Sequence, residues 1–297
     1  MKDAITETTP TSSLLYENWR HFDAGGPVLG IQEARFYTDV RILGQVEGLG
    51  PYSFLNPVAQ PRIRASNPLI PGIVFRVSYH VPADPHYKPL RDDFEHYHGG
   101  DMLDEIAALL SLFLGIRIKA GSVDREFSGS DPLGRPVAFS AKPEPHLFLS
   151  DRPQIPVLNK DGMLGMRTQL GELEGIERLP NQSIAEVNAF IKAARLYQQA
   201  VWIADPDPEL AWLLLISCVE TIAVIAADDE GSPVERLRET IPKLAELLER
   251  NLTEPSFAEA AAYTTRFTGS TRKFVQFLAK FAPDAARPTS ALRSVWI

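Results

Sequence analysis

The sequence predicts an α+β N-terminal domain followed by an all-α helical bundle. Short alternating apolar runs between residues 31 and 150 are typical of strands. From residue 183 onward, apolar residues recur at helical spacing. An apolar content of 44% over 297 residues is enough for two globular domains with sizeable cores. The expected organisation is a flexible lead-in (1–30), an α+β domain of unknown type (31–150), a connector (151–182) and a helical bundle (183–297).

Composition limits the classes of function. The net charge of −8 excludes broad, non-specific nucleic-acid binding but leaves room for a local basic site. The single cysteine, Cys218, excludes an internal disulfide and a cysteine-rich zinc site. It also favours a reducing compartment, and residues 1–20 lack a secretory signal, so we expect a cytoplasmic protein. No phosphate-binding loop or dinucleotide fingerprint occurs in the sequence, and we expect no cofactor.

The α+β domain is predicted from strands and one helix. The strand candidates are residues 34–46, 72–81, 116–121, 136–141 and 146–150. In the second of them, Ile73, Phe75, Val77 and Tyr79 alternate with more polar positions, which predicts one buried face. The helix is expected to begin after the capping residue Asp101 and to end at Gly115.

The bundle is predicted from five further helical stretches. Ser183 and Glu186 have capping-box spacing at the start of the first helix, which a Pro-Asp-Pro turn ends. An apolar helix at 208–227 follows; it carries Glu220 and has acidic flanks, so we expect the centre of a bundle rather than a membrane span. The next stretches are an amphipathic helix at 233–250 and two helices at 256–267 and 271–281.

Three constellations could carry chemistry, each beside a simpler interpretation. His80, His86, His96 and His98 with Asp101 offer metal-ligating groups, but a hydrophilic loop explains them better, and we expect no metal. Cys218 lies in the most apolar helix, where core packing is favoured over nucleophilic chemistry.

The third constellation is a candidate anion-binding site formed by Ser270, Thr271, Arg272 and Lys273. If these residues open a helix, free backbone N–H groups and two cations converge there. Ordinary capping of an amphipathic helix explains the same residues. From Arg266 to the end, six cations face Asp284 alone, which points to a polyanionic partner.

The helices around the Pro-Asp-Pro turn resemble a known superfamily. The pattern Tyr197-x2-Ala200, followed by Asp205-Pro-Asp-Pro and an apolar run to Glu220, resembles the Apea-like branch of the HEPN superfamily, and TGSTRKFVQFL is similar to its following helices. The resemblance covers residues 183–281. It implies a helical bundle, often dimeric, in proteins of stress response, toxin–antitoxin systems or phage defence that cleave RNA without a metal or bind RNA or nucleotides.

Active members use an Arg-x4–6-His motif near the last helix, and by resemblance Glu220 is the carboxylate that orients it. The last histidine of this chain is His146, so we expect a bundle truncated before the motif and no catalysis. The resemblance implies an RNA- or nucleotide-binding homodimer formed through the helical bundle. Because the motif histidine is missing, we expect it to be inactive, and because the apolar helix has acidic flanks, we expect no membrane partner. The alternatives are a non-enzymatic ligand-sensing or dimerisation module, and a metal-dependent hydrolase that uses His96 and His98.

Overall fold

An antiparallel sheet region followed by a helical region makes up the described part of the chain. The computed structural model describes residues 13–56, 69–81, 101–128, 130–137, 142–147, 167–173, 175–226 and 232–282. The chain divides into two compact units, Met1–Cys218 and Val219–Ile297, with the division inside the fourth α-helix. The predicted order, α+β followed by helices, is therefore confirmed at this level.

The elements have the following bounds. The strands are β1 Gly30–Thr38, β2 Arg41–Leu43, β3 Val46–Leu49, β4 Tyr52–Leu55, β5 Ile70–Tyr79, β6 Ile118–Ser128, β7 Asp131–Pro136 and β8 Arg167–Gln169. The helices are α1 Leu14–Asp23, α2 Met102–Leu114, α3 Ile184–Ile203, α4 Pro208–Ala226, α5 Pro233–Thr240, α6 Pro242–Asn251 and α7 Glu254–Phe281. Two short 3-10 helices span Leu170–Leu173 and Ile176–Asn181.

The main sheet has six strands in the order β3-β4-β5-β1-β6-β7. The central strand β1 pairs antiparallel with β5 and with β6, and β2 pairs with β8 in a separate parallel ribbon. The alternation predicted for β5 is confirmed, because Ile73, Phe75 and Val77 are fully buried. Phe36 of β1 stacks on Phe75 with ring centroids 5.3 Å apart, so the two strands share one apolar face.

Helix α2 packs in the core of the first unit. Asp101 caps it by accepting a hydrogen bond from the backbone N–H of Asp104, and Gly115 ends it with a φ of 63°. Ile106 and Leu109 are completely buried. These caps and this apolar face match the prediction for the helix.

Helix α3 also belongs to the first unit. It packs against α2, and its buried Val187 and Ile191 join the same apolar core as the sheet. The predicted domain boundary at residue 183 therefore lies inside this unit, because the apolar side of α3 completes the α+β core.

Two segments predicted as irregular are ordered, and both predictions are wrong for the described residues. In the lead-in, Leu14–Asp23 form helix α1, capped by Ser13, with Leu15 and Trp19 buried in the core. In the connector, residues 167–182 contain β8 and the two 3-10 helices, which bury Leu170 and Ile176. The two predictions failed because the apolar side chains of these segments are separated by turns and glycines, so that neither segment shows the regular spacing of a helix or a strand. Residues 148–166 lie outside the described part.

The helices of the second unit differ from their predicted bounds. The helix expected at 233–250 is divided into α5 and α6, because Pro242 cannot continue the hydrogen-bond ladder of α5. The two helices expected at 256–267 and 271–281 are one helix, α7, which runs through Gly269. Leu237, Ala245, Phe257 and Ala261 form the small core that α5, α6 and α7 share.

Candidate functional site

The turn between α3 and α4 is built by two aspartates that do different work. Asp207 accepts a hydrogen bond from the backbone N–H of Leu210 at 3.0 Å and so caps α4, with Pro208 in its first turn. Asp205 is buried and accepts from the Arg117 guanidinium at 2.6 Å. The predicted break between two helices at Asp-Pro-Asp-Pro is thus confirmed.

Arg117 is the centre of a buried ion cluster. Besides Asp205, its guanidinium donates to Asp39 at 3.1 Å and to the backbone carbonyl of Val201 at 2.6 Å. Its side chain is 1% exposed. Burial raises the pKa of Asp39, and the Arg117 charge opposes that rise. The cluster joins the end of β1, the segment before β6 and the end of α3, so it fixes the geometry of the α3–α4 turn.

Small residues bring the start of α4 close to α3. Ala200 of α3 and Ala204, which follows its last residue, pack with Ala211 of α4. About two turns further along α4, Cys218 is buried beside Tyr197, and burial raises the pKa of its thiol to about 11. A thiol with a raised pKa is a poor nucleophile, and core packing of Cys218, as expected from the sequence, is confirmed.

Most of the apolar surface of α4 is not buried. Trp212 is 64% exposed and Leu213 is 59% exposed, and Leu210, Val224 and Ile225 are exposed as well. Only 17% of the apolar stretch of α4 is buried, so the expectation of a helix at the centre of a bundle is wrong. The apolar residues of α4 predicted a helix buried all around, but only the side that carries Ala211 and Cys218 faces α3.

By length and composition α4 could also cross a membrane. It is the one helix in the described ranges that is long and apolar enough to do so. A single helix of this kind is weak support for a membrane location, because helices of soluble proteins can have the same length and apolar composition. Acidic residues flank it on both sides, without the cationic residues that flank membrane spans.

Glu220 lies on the exposed side of α4. It is two positions after Cys218, which places it about 200° around the helix from the buried side. A charged carboxylate inside an apolar helix needs either a buried partner or an opening to solvent, and the exposed position of Glu220 provides the opening. Its orienting role in a catalytic site stays a prediction.

The anion-binding candidates lie in the interior of α7, not at a helix N-terminus. The helix begins at Glu254, so the backbone N–H groups of Ser270 and Thr271 lie inside the helical ladder. The expectation that these residues open a helix is wrong. Arg272 forms an ion pair with Glu239 of α5 at 3.2 Å, which holds α5 and α7 together. The side chains of Ser270 and Thr271 are outside the described part, and anion binding by the four residues stays a prediction.

The metal-binding candidates do not converge within the described residues. Asp101 caps α2 and pairs with Lys142 at 3.4 Å. His80 is buried, and its Nδ1 lies 2.9 Å from the carbonyl oxygen of Gly26. His86, His96 and His98 lie outside the described residues, within which no three ligating side chains form a group.

The exposed surface of α4 and the Arg117 cluster were both missed from the sequence. An all-round apolar helix gives no periodic signal for which side is exposed. Arg117 precedes a strand and gives no local signal for its distant aspartates. No protein-family model, curated protein or solved structure matches the chain.

Proposed function

We propose that the chain is a non-catalytic, HEPN-like protein of the cytoplasm that forms a homodimer through α4 and binds RNA or a nucleotide in a stress or phage-defence setting. The observation that carries the proposal is the exposed apolar surface of α4 beside the α3–α4 turn. That turn is the part of the chain on which the resemblance rests.

A second copy of the chain suits this surface better than a lipid bilayer does. Large exposed apolar patches on a soluble protein mark interaction sites. Trp212 is an aromatic side chain of the kind enriched in protein interfaces, and the exposed Leu213 beside it adds apolar surface. Glu220 interrupts the apolar helix, and acidic flanks disfavour an anionic membrane surface.

Light scattering of the full chain tests the dimer. We expect a dimer for the wild type and a monomer for the double variant W212S/L213S. Leu133→Ser is the matched control, because Leu133 is 80% exposed in the β6–β7 hairpin, and this variant keeps the dimer. A monomeric wild type, or a double variant that remains dimeric, refutes this part of the proposal.

RNA or nucleotide binding is supported by the cations that follow Arg266, among which Arg272 and Lys273 lie on α7. Fluorescence anisotropy with a labelled single-stranded RNA is the assay. Replacing both residues with glutamine weakens binding and reduces its salt dependence, whereas Arg250→Gln, on an exposed i,i+4 pair of α6, does not. Failure to bind RNA or ATP below about 100 μM at low salt contradicts this function.

We expect no cleavage, because the resembling stretch, residues 183–281, contains no histidine. Incubation of the RNA with the protein and a chelator should leave the RNA intact. Glu220-dependent cleavage would show instead that catalysis survives.

The second candidate function is a dimerisation or ligand-sensing module without a nucleic-acid ligand. The same exposed surface of α4 favours it. A dimer that fails to bind both RNA and nucleotide selects this candidate.

A further inference from the structure

A cavity of about 520 Å³ lies in the second unit, between α5, the end of α6 and the start of α7. This volume is within the range of small-ligand sites in proteins. All the residues that line it belong to the described part of the chain and to one unit, so the cavity is a feature of that unit alone. The lining residues are Val234, Arg238, Glu249, Leu252, Glu254, Phe257 and Ala258.

The most buried part of the lining is apolar. Phe257 is 5% exposed and belongs to the small core that α5, α6 and α7 share. Val234 packs against that core, and Leu252, which follows α6, is 38% exposed. A ligand in the cavity therefore covers apolar surface at the edge of the core and removes it from water.

The charged part of the lining has one carboxylate more than it has cations. Arg238 donates to Glu249 at 2.5 Å, and its guanidinium lies 5.9 Å from the centroid of the Phe257 ring. Glu249 therefore neutralises the cation of the lining. Glu254, in the first turn of α7, has no lysine or arginine of the described ranges as an ion-pair partner. The ends of α6 and α7 that meet beside it have dipoles of opposite sign, so the Glu254 carboxylate sets the charge that a ligand meets.

We propose that this cavity is a binding site for a small amine with an aromatic or aliphatic body. The protonated amine pairs with Glu254, and the body lies against Phe257 and Leu252. An anion of the same size is disfavoured, because it meets the carboxylate of Glu254 and finds Arg238 already paired. The site goes beyond the proposed function, since it involves neither the exposed surface of α4 nor the cations of α7.

Three compounds of nearly equal size and different charge test the proposal on the full chain: phenethylamine, 2-phenylethanol and phenylacetate. At neutral pH the amine is a cation, the alcohol is neutral and the acid is an anion. Binding is measured by NMR as the change in the backbone amide shifts of Leu252 and Ala258. We expect saturable changes at both amides, with the tightest binding for the amine and the weakest for phenylacetate.

Two variants test charge and space separately. Glu254→Gln should weaken binding of the amine about twofold to fivefold, as expected for an exposed ion pair, and leave binding of the alcohol unchanged. Glu259→Gln, which removes an exposed carboxylate of α7 outside the lining, is the matched control and should change neither. Ala258→Phe places a ring in the cavity and should abolish binding of both compounds.

Four results would overturn the proposal. They are binding of phenylacetate as tight as that of the amine, equal effects of Glu254→Gln and Glu259→Gln, an amine that still binds to Ala258→Phe, and shift changes confined to other parts of the chain. Circular dichroism of each variant confirms that it is folded, and the exposed Glu254→Gln tests the charge whether or not Ala258→Phe folds.

Discussion

Replacing Glu105 with glutamine should make the free energy of unfolding of the first unit depend much less on pH. Glu105 is 1% exposed on α2, and its carboxylate accepts hydrogen bonds from the Ser13 hydroxyl at 2.8 Å and the Leu15 backbone N–H at 2.9 Å. It thereby completes the N-terminal cap of α1. Burial raises the pKa of Glu105 from 4.5 to about 7, although both hydrogen bonds act to lower it.

The sign and size of the effect follow from that shift. Because the folded state holds the proton more tightly than the unfolded state, the free energy of unfolding falls as the pH rises from 4.5 to about 7. A rise in the pKa from 4.5 to about 7, at about 1.4 kcal/mol for each tenfold change in proton affinity, gives a loss of roughly 3.5 kcal/mol above that window. Glutamine keeps the shape and an accepting oxygen but carries no charge.

Urea unfolding followed by circular dichroism at several pH values measures the difference between the wild type and Glu105→Gln. We expect the variant to be the more stable protein at about pH 8 and the advantage to vanish near pH 4.5. Glu47→Gln, at an exposed position of β3, is the control and should track the wild type. A difference that stays constant across this window, or a variant less stable than the wild type at pH 8, refutes the reasoning.

Two further sets of substitutions compare a buried ion pair with an exposed one, and a closely packed glycine with one that has free space around it. Arg117→Met leaves Asp39 and Asp205 buried without their cation and should cost about 3–5 kcal/mol in chemical denaturation, whereas Arg238→Met, which breaks the exposed pair with Glu249, should cost less than about 1 kcal/mol. Equal losses would contradict the role of burial. Gly50 has a positive φ of 57°, and a Cβ added there would lie only 2.5 Å from the Trp19 ring. Gly44 also has a positive φ, of 83°, but has free space around it. The thermal unfolding midpoint of Gly50→Ala should therefore be well below that of Gly44→Ala.

A helix could be predicted from the sequence where a capping residue, an apolar side and a terminating glycine indicate the same bounds. Helix α2 has all three, with Asp101 at its start and Gly115 at its end. The start of α4 was also predictable, since two prolines and a capping aspartate allow few other conformations there. Such elements are specified by neighbours in sequence.

The errors have a different physical origin. Helix α7 runs through Gly269 because the cost of one helical glycine, about 1 kcal/mol, is small beside the packing of a 28-residue helix. Helix α1 is stabilised largely by contacts distant in sequence, among them Glu105, which no local pattern predicts. The exposed surface of α4 was not predicted for the same reason. Which side of an all-apolar helix is exposed depends on what packs against it, and the sequence of the helix does not show that.

The contacts of α1 have a consequence for synthesis of the chain on the ribosome. The backbone N–H of Ser13 donates to the side chain of Asn188, 175 residues later. At elongation rates of about 5–20 residues per second, the nascent chain carries Ser13 without this partner for roughly 9–35 s. The first unit therefore closes only after α3 has emerged, and its opening residues are exposed to chaperones and proteases during that time.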